Sequence, residues 1–157
     1  EAEFGIGVLG PPSAELHAEH CADDPYVIAF RAGHALQKRR RVGWKDLQAW
    51  RVVALRSTSA NRQQIDEALA AAGIASPWFD EVEHLSSMLG LLRGGVGIGV
   101  LPRLALHAGA AVDLLSRPLH SPDVVRRIGL LKRRDTRLSR PAEDLWDMLR
   151  QQLMHHG

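Results

Sequence analysis

Three hydroxyl side chains in a row, Ser57, Thr58 and Ser59, stand just before Asn61 and Arg62, and a second polar group, His84 with Ser86 and Ser87, stands further along the chain. Each group follows an apolar run of strand length and leads into a stretch of helical periodicity. The first amides of a helix have no intrahelical acceptor, and the helix dipole places partial positive charge there. A carboxylate or phosphate is therefore favoured at such a junction. Asn61 is the expected N-cap of the first helix, with Gln64 in the capping-box position three residues on. One residue is enough for a cap, so the hydroxyls before it exceed that need. Arg62 opposes the dipole in the first turn, and either of two partners would account for it. One is a salt bridge to Asp66, four residues on, and the other is an acidic ligand beside the loop. His84 has two open readings, a ligand contact at a strand's carboxyl end or an ordinary core or surface histidine.

Other chemistries are poorly supported. Ser86, His84 and Asp80 are too close in sequence, on one strand end, to line up as a nucleophilic triad. In the run Gly94-Gly95-Val96-Gly97-Ile98-Gly99 the glycines close a helix and enter a strand. A dinucleotide fingerprint has the opposite polarity, so Gly95 reads as a left-handed cap and the others as sites of close packing. The histidines at 17, 20, 34, 107, 120, 155 and 156 show no metal-ligand spacing with Cys or carboxylates, and no metal or cofactor is assigned. Cys21 is the single cysteine, which excludes an internal disulfide and fits a reducing cytoplasm.

The elements that must position these residues alternate. Strand-length apolar runs lie at 4–8, 26–30, 51–55, 81–85, 96–101, 112–115 and 128–131. Between them, Ile65, Leu69 and Ala72 share one face of a helix over 62–72 that Gly73 stops. Leu85, Met88, Leu89 and Leu92 form the face of the next helix. Leu145, Leu149 and Leu153, with Met148 alongside, form the face of a last helix beginning after Ser139. Residues 81–102 thus make a βαβ unit with parallel strands, and the whole predicts an α/β domain with a mostly parallel sheet.

Composition narrows the function. At 157 residues, 45% of them hydrophobic, the chain is of single-domain size and can bury a core. A net charge of +2 leaves no basic field of the kind a nucleic-acid module needs. Lys38-Arg39-Arg40-Arg41 and Lys132-Arg133-Arg134 read as solvated surface. No apolar run approaches the roughly 20 residues that cross a bilayer.

Several of these segments, taken in order, resemble the effector-binding domain of LysR-type transcriptional regulators. Phe4-Gly5-Ile6-Gly7 is similar to that family's "DFGIG" strand, and Tyr26-Val27-Ile28-Ala29-Phe30 with Gly33-His34-Ala35-Leu36 to its entry into subdomain two. Val42-Gly43-Trp44-Lys45-Asp46-Leu47 resembles the "v-x-w-x-DL" turn, and residues 57–62 the "S-x-x-R" helix start. Gly95-Val96-Gly97-Ile98-Gly99-Val100-Leu101-Pro102 resembles the "GxGIxxLP" strand. Arg117-Pro118-Leu119 and Leu138-Ser139-Arg140-Pro141-Ala142 fit the closing strand and last helix.

The resemblance implies a periplasmic-binding-protein-like type II fold, with subdomain two nearly complete and parts of subdomain one. Residues 1–10 are then the end of subdomain one and the hinge, with Leu9-Gly10-Pro11-Pro12 as its breaker. Residues 11–125 are subdomain two, and 126–157 the return strand and C-terminal helix. The chain reads as a fragment of a cytoplasmic regulator that performs no chemistry. Promoter DNA is bound only through an N-terminal domain not in this sequence, and the regulator forms a homodimer or homotetramer with no membrane association. A small effector, an organic acid or aromatic carboxylate, binds between two subdomains, and the family places contacts in the loop at 57–61. The candidate ligand-binding residues are Ser57, Thr58, Ser59, Asn61, Arg62, His84, Leu85 and Ser86. The alternative is a periplasmic-type solute-binding receptor, which shares the fold but calls for a secretory leader and a complete first lobe.

Overall fold

The computed structural model describes residues 2–107 and 113–156. In chain order the elements are β1 (Gly5–Val8), β2 (Leu16–Arg31), β3 (Val42–Gly43), β4 (Val52–Leu55), α1 (Ala60–Ala71), β5 (Trp78–Val82), α2 (Leu85–Arg93), β6 (Ile98–Pro102), α3 (Leu104–His107), β7 (Leu114–His120), β8 (Val125–Arg133) and α4 (Arg140–His156). Short 3-10 turns at Ala35–Lys38 and Trp44–Ala49 flank β3. Part of the run expected at 112–115 lies outside the described residues, and the strand there is β7. The chain divides into two compact units, Glu1–Asp24 with Val125–Gly157, and Pro25–Val124. Strand β2 gives its first half to one unit and its second half to the other. The breaker at residues 9–12 lies inside the first unit.

In the unit Pro25–Val124 the strand order is β7-β2-β6-β4-β5, with β3 beside β7. Strand β4 runs parallel to both β5 and β6, whereas β2 runs antiparallel to β6 and β7. The sheet is therefore mixed rather than mostly parallel. The two strands of the expected βαβ unit are parallel, but β4 lies between them. Side chains alternate between the two faces of a strand, and here both faces are covered. Val52, Ile28, Phe30 and Val100 pack with Ile65 and Leu69 of α1. Their neighbours Val53, Ala29 and Leu101 pack with Met88, Leu89 and Leu92 of α2. Trp44, Leu36 and Leu47, from the turns around β3, complete the α1 side and are fully buried.

Glycine punctuates the elements as expected at two places, with φ of +68° at Gly73 and +73° at Gly95. A side chain there would occupy the left-handed region that only glycine enters without strain. Two boundaries differ from the sequence reading. Helix α1 starts at Ala60 with Ser59 as N-cap, and the strand expected at 81–85 is β5, which ends at Val82. Pairing decides the second case: Leu55, the last residue of β4, faces Val82, so nothing further extends β5. The basic turn is built rather than loose. Arg117 donates from Nε to the Arg39 carbonyl at 2.5 Å and from Nη2 to the Gln37 carbonyl at 2.7 Å. Arg39 is itself paired with Asp46 at 3.0 Å.

In the other unit the order is β1-β8-β2, with β1 antiparallel to β8. Helix α4 covers one face. Cys21, Leu130 and Trp146 are buried there, with Phe4, Leu138, Leu149 and Leu153 packed around them. The expected apolar face of this helix thus needs correction. Leu149 and Leu153 face inward, but Trp146 replaces Leu145, which is 42% exposed, and Met148 is 52% exposed. The Trp146 indole explains the rotation: it meets the Phe4 ring edge-on at 5.3 Å and donates to Glu19 Oε2 at 3.2 Å. Asp24, fully buried, is paired with Arg126. Among the described residues no helix is long and apolar enough to cross a membrane.

Gly97 and Gly90 make opposite predictions. A Cβ on Gly97 would sit 2.5 Å from the Arg51 carbonyl oxygen, while one on Gly90, in α2, would meet nothing within 4 Å. Gly97→Ala is expected to destabilise by about 1–3 kcal/mol, as overpacking does. Gly90→Ala should instead stabilise by about 0.5–1 kcal/mol through helix propensity. Thermal denaturation should separate them, with Tm moving by roughly 2–4 °C for each kcal/mol.

Candidate functional site

Strands β4, β5 and β6 are parallel, so their carboxyl ends, Leu55, Val82 and Pro102, open on one edge of the sheet. The two polar loops predicted from sequence both leave from this edge. They are joined there directly: the Arg56 amide donates to the Val82 carbonyl at 3.0 Å, and the exposed Arg56 guanidinium lies 3.7 Å from Glu83. Ser57 and Thr58 are exposed and Ser59 half-buried in the first loop. In the second, His84 and Ser86 are exposed. Leu85 is half-buried and packs with the α2 core.

The two helices that open here share a feature. Ser59 is the N-cap of α1 and His84 the N-cap of α2, both with extended backbones, and neither side chain hydrogen-bonds into its first turn. Hydroxyls and helix N-termini are thus presented at the edge without being consumed as caps.

Asn61 behaves differently from the expectation. It is not the cap but lies inside the first turn, where its Oδ1 accepts from the Tyr26 hydroxyl at 3.2 Å. Gln64, expected to complete a capping box, also turns its Oε1 to that hydroxyl, at 3.3 Å. Tyr26 is 2% exposed and was no part of the sequence-derived site. It reaches the edge because β2 runs antiparallel to β6, which places Tyr26 opposite Pro102. Its one visible signal was being the chain's single tyrosine, at the start of an apolar strand.

Of the two partners open to Arg62, the structure shows Asp66, with Nε donating to Oδ2 at 2.7 Å. It adds two that the sequence did not suggest: Nη1 donates to Glu81 Oε1 and to the Leu55 carbonyl, each at 2.9 Å. The guanidinium lies 4.8 Å from the Trp78 ring, whose Nε1 donates to Asp66 Oδ1 at 2.7 Å. At 8% exposure Arg62 is a clamp that ties α1 to the ends of β4 and β5. The cavity beneath, lined by Tyr26, Asn61, Arg62 and Trp78 among others, has a volume of about 10 Å³, no more than one water molecule needs. Ligand-sized space therefore does not lie under the first turn of α1.

Asp80 is engaged elsewhere. Arg51 donates to both its oxygens, holding its carboxyl below the usual carboxylate range. Among the described residues no group of three or more His, Cys, Asp or Glu is placed to hold a metal ion.

Comparison with known proteins agrees with this architecture. The sequence matches the LysR substrate binding domain family over residues 1–154. It is 34% identical over 149 residues to YbhD, an uncharacterized HTH-type transcriptional regulator of Escherichia coli (strain K12), covering 95% of this chain and 47% of that protein. The chain spans about half the length of the curated relatives it matches. The regulatory domain of CcmR from Synechocystis PCC6803, in complex with 2-PG, superposes with a TM-score of 0.76 at 20% identity, covering 99% of this chain and 73% of that one. The BenM effector binding domain with its effector benzoate gives 0.77 at 20% identity, covering 99% and 71%.

The fold is thus that of a substrate-binding domain of the type II periplasmic-binding-protein-like class. The chain belongs to the LysR substrate-binding domain family. The relatives it matches include HTH-type transcriptional regulators.

The two readings of Asn61 separate by mutation. Asn61→Ala should cost about 0.5–1.5 kcal/mol, the worth of a neutral hydrogen bond, and most of that cost should vanish in a Tyr26→Phe background. Ser59→Ala should shift stability by less than about 0.5 kcal/mol, below the usual loss of a cap. A double-mutant cycle read by chemical denaturation measures the coupling.

Proposed function

We propose that this chain is the ligand-sensing domain of a cytoplasmic LysR-type regulator and that its effector is a small organic anion. The regulator would contact promoter DNA through a separate N-terminal domain. The observation that carries the reading is the shared edge, where two helix N-termini, each with an unspent cap side chain, stand beside Ser57, Thr58, Ser59, His84 and Ser86. Each exposed terminus favours negative charge by about 0.3–1 kcal/mol. A hydroxyl hydrogen bond to a charged group adds about 1.5–3 kcal/mol. With apolar contacts such as Leu85, the sum supports micromolar affinity, about −8 kcal/mol. The likeness to domains solved with 2-PG and with benzoate supports the same ligand class. Arg62 serves this site by holding its frame rather than by meeting the ligand.

A screen of organic acids by thermal shift, followed by calorimetric titration, tests the proposal, because a specific ligand stabilises by mass action. Thr58→Val and Ser59→Val should each weaken the best ligand at least several-fold and leave the Tm of the free protein nearly unchanged. Unaltered affinity in both variants, or a cationic ligand, would refute the placement.

We further propose that the regulator assembles as a dimer or tetramer. The support is the apolar surface of the unit built on β1, β8 and α4, where Ile6, Val8, Leu145 and Met148 are exposed. Light scattering at high concentration should report a mass above the 17.3 kDa of one chain. A monodisperse monomer would contradict this.

A further inference from the structure

The unit built on β1, β8 and β2 has a second face, away from α4, and it is concave. Strand register sets it up. Leu130 and Cys21 point to α4, so Leu131 of β8 and Leu16 of β2 belong to the opposite face. The segment after β1 folds over this face and is fixed at both ends. The Leu9 amide donates to the Arg127 carbonyl at 2.7 Å, and the Arg134 amide donates to the Glu15 carbonyl at 2.9 Å. The result is a cavity of about 440 Å³ whose apolar wall includes Leu9, Pro11, Leu16 and Leu131. That volume lies within the range of small-molecule sites, roughly 300–1,000 Å³.

Two exposed cations stand at this cavity beside Ser13 and His20. Arg127 and Arg134 both line the cavity, and among the described residues neither side chain has an ion pair or hydrogen-bond partner. Three other arginines of this unit do have carboxylate partners: Arg126 pairs with Asp24, Arg133 with Asp135, and Arg150 with Glu19 and Asp147. Neither acid beside the wall, Glu15 or Asp23, is paired with these two guanidinium groups, and Asp23 instead lies 3.2 Å from His20. Two unneutralised guanidinium groups beside an apolar wall recognise one kind of molecule, an anion that carries an apolar body. Guanidinium suits carboxylate geometry in particular, because its donors form a planar fork.

We propose that this cavity is a second ligand site, distinct from the edge of β4 and β5, and that it takes a small carboxylate bearing an apolar group. Arg127 and Arg134 hold the carboxylate, and Leu9, Leu16 and Leu131 cover the body. The site does not depend on the effector loops, since none of its residues comes from the unit that carries them.

Cyclohexanecarboxylate and its neutral amide are suitable probes, titrated into the ¹⁵N-labelled 157-residue chain by NMR. The amide signals of Gly10, Ala18 and Leu131 should shift saturably with the carboxylate and not with the amide. Arg127→Gln with Arg134→Gln should weaken that binding at least tenfold without lowering Tm, because neither side chain has a partner to lose. Ser59→Val should leave it unchanged, which separates this site from the effector site. Equal shifts with the amide, no saturable shift at these three signals, or full affinity in the double variant would overturn the proposal. Each single variant gives the same readout should the double one fold poorly.

Discussion

A guanidinium kept from water needs anions around it, and Arg62 at 8% exposure has gathered two carboxylates and a carbonyl from three elements. Removing such a group from solvent is expensive unless its donors are satisfied. The helix carrying Arg62, the end of β4 and the strand carrying Glu81 must therefore stay in one arrangement. Asp66 locks it further, accepting from Ser76 and Trp78 as well as from Arg62. This cluster lies directly beneath the loops that leave β4 and β5. Their hydroxyls keep a common edge because the clamp below does not move.

The mixed sheet adds a second support from an unexpected direction. Parallel strands bring their carboxyl ends to one edge, and an antiparallel neighbour brings its opposite end to the same place. Strand β2 enters the unit there, so Tyr26 arrives beside Pro102 and meets Asn61 and Gln64 of α1. The first turn of α1 is thus held from two sides, by a charged network and by a phenol hydroxyl. Ser57, Thr58 and Ser59, which precede it, carry none of that load. A ligand can engage them without competing with the contacts that keep the helix in place.

The electrostatics of the chain follow from how its arginines are spent. Net charge is only +2, and several arginines are neutralised within the fold: Arg39, Arg51, Arg62, Arg126 and Arg150 face carboxylates, while Arg117 grips carbonyls beneath the basic turn. The helix termini at the β4 and β5 edge and the two guanidinium groups in the cavity of the other unit keep attraction for negative charge to spare. Both point to anions, but they do so by different means. At the edge, dipoles and hydroxyls give weak, shared attraction. In the cavity, full charges stand against an apolar wall.

The amino-acid sequence alone determined the order of strands and helices, the stops at Gly73 and Gly95, and the two polar loops at strand ends. These features are local: a period of two or 3.6, a glycine in the left-handed region, or a hydroxyl before a helix acts within a few residues. The tertiary structure decided that Asn61 answers Tyr26, 35 residues away, rather than capping its own helix. It also gave Glu81 to Arg62 across 19 residues and turned Trp146 rather than Leu145 inward. The direction of β2, on which Tyr26's place depends, came from pairing with β6 and β7 and not from any pattern within β2. Such partners are chosen by which distant groups arrive within hydrogen-bond reach, and a burial or pairing energy between remote residues leaves no periodic trace along the chain.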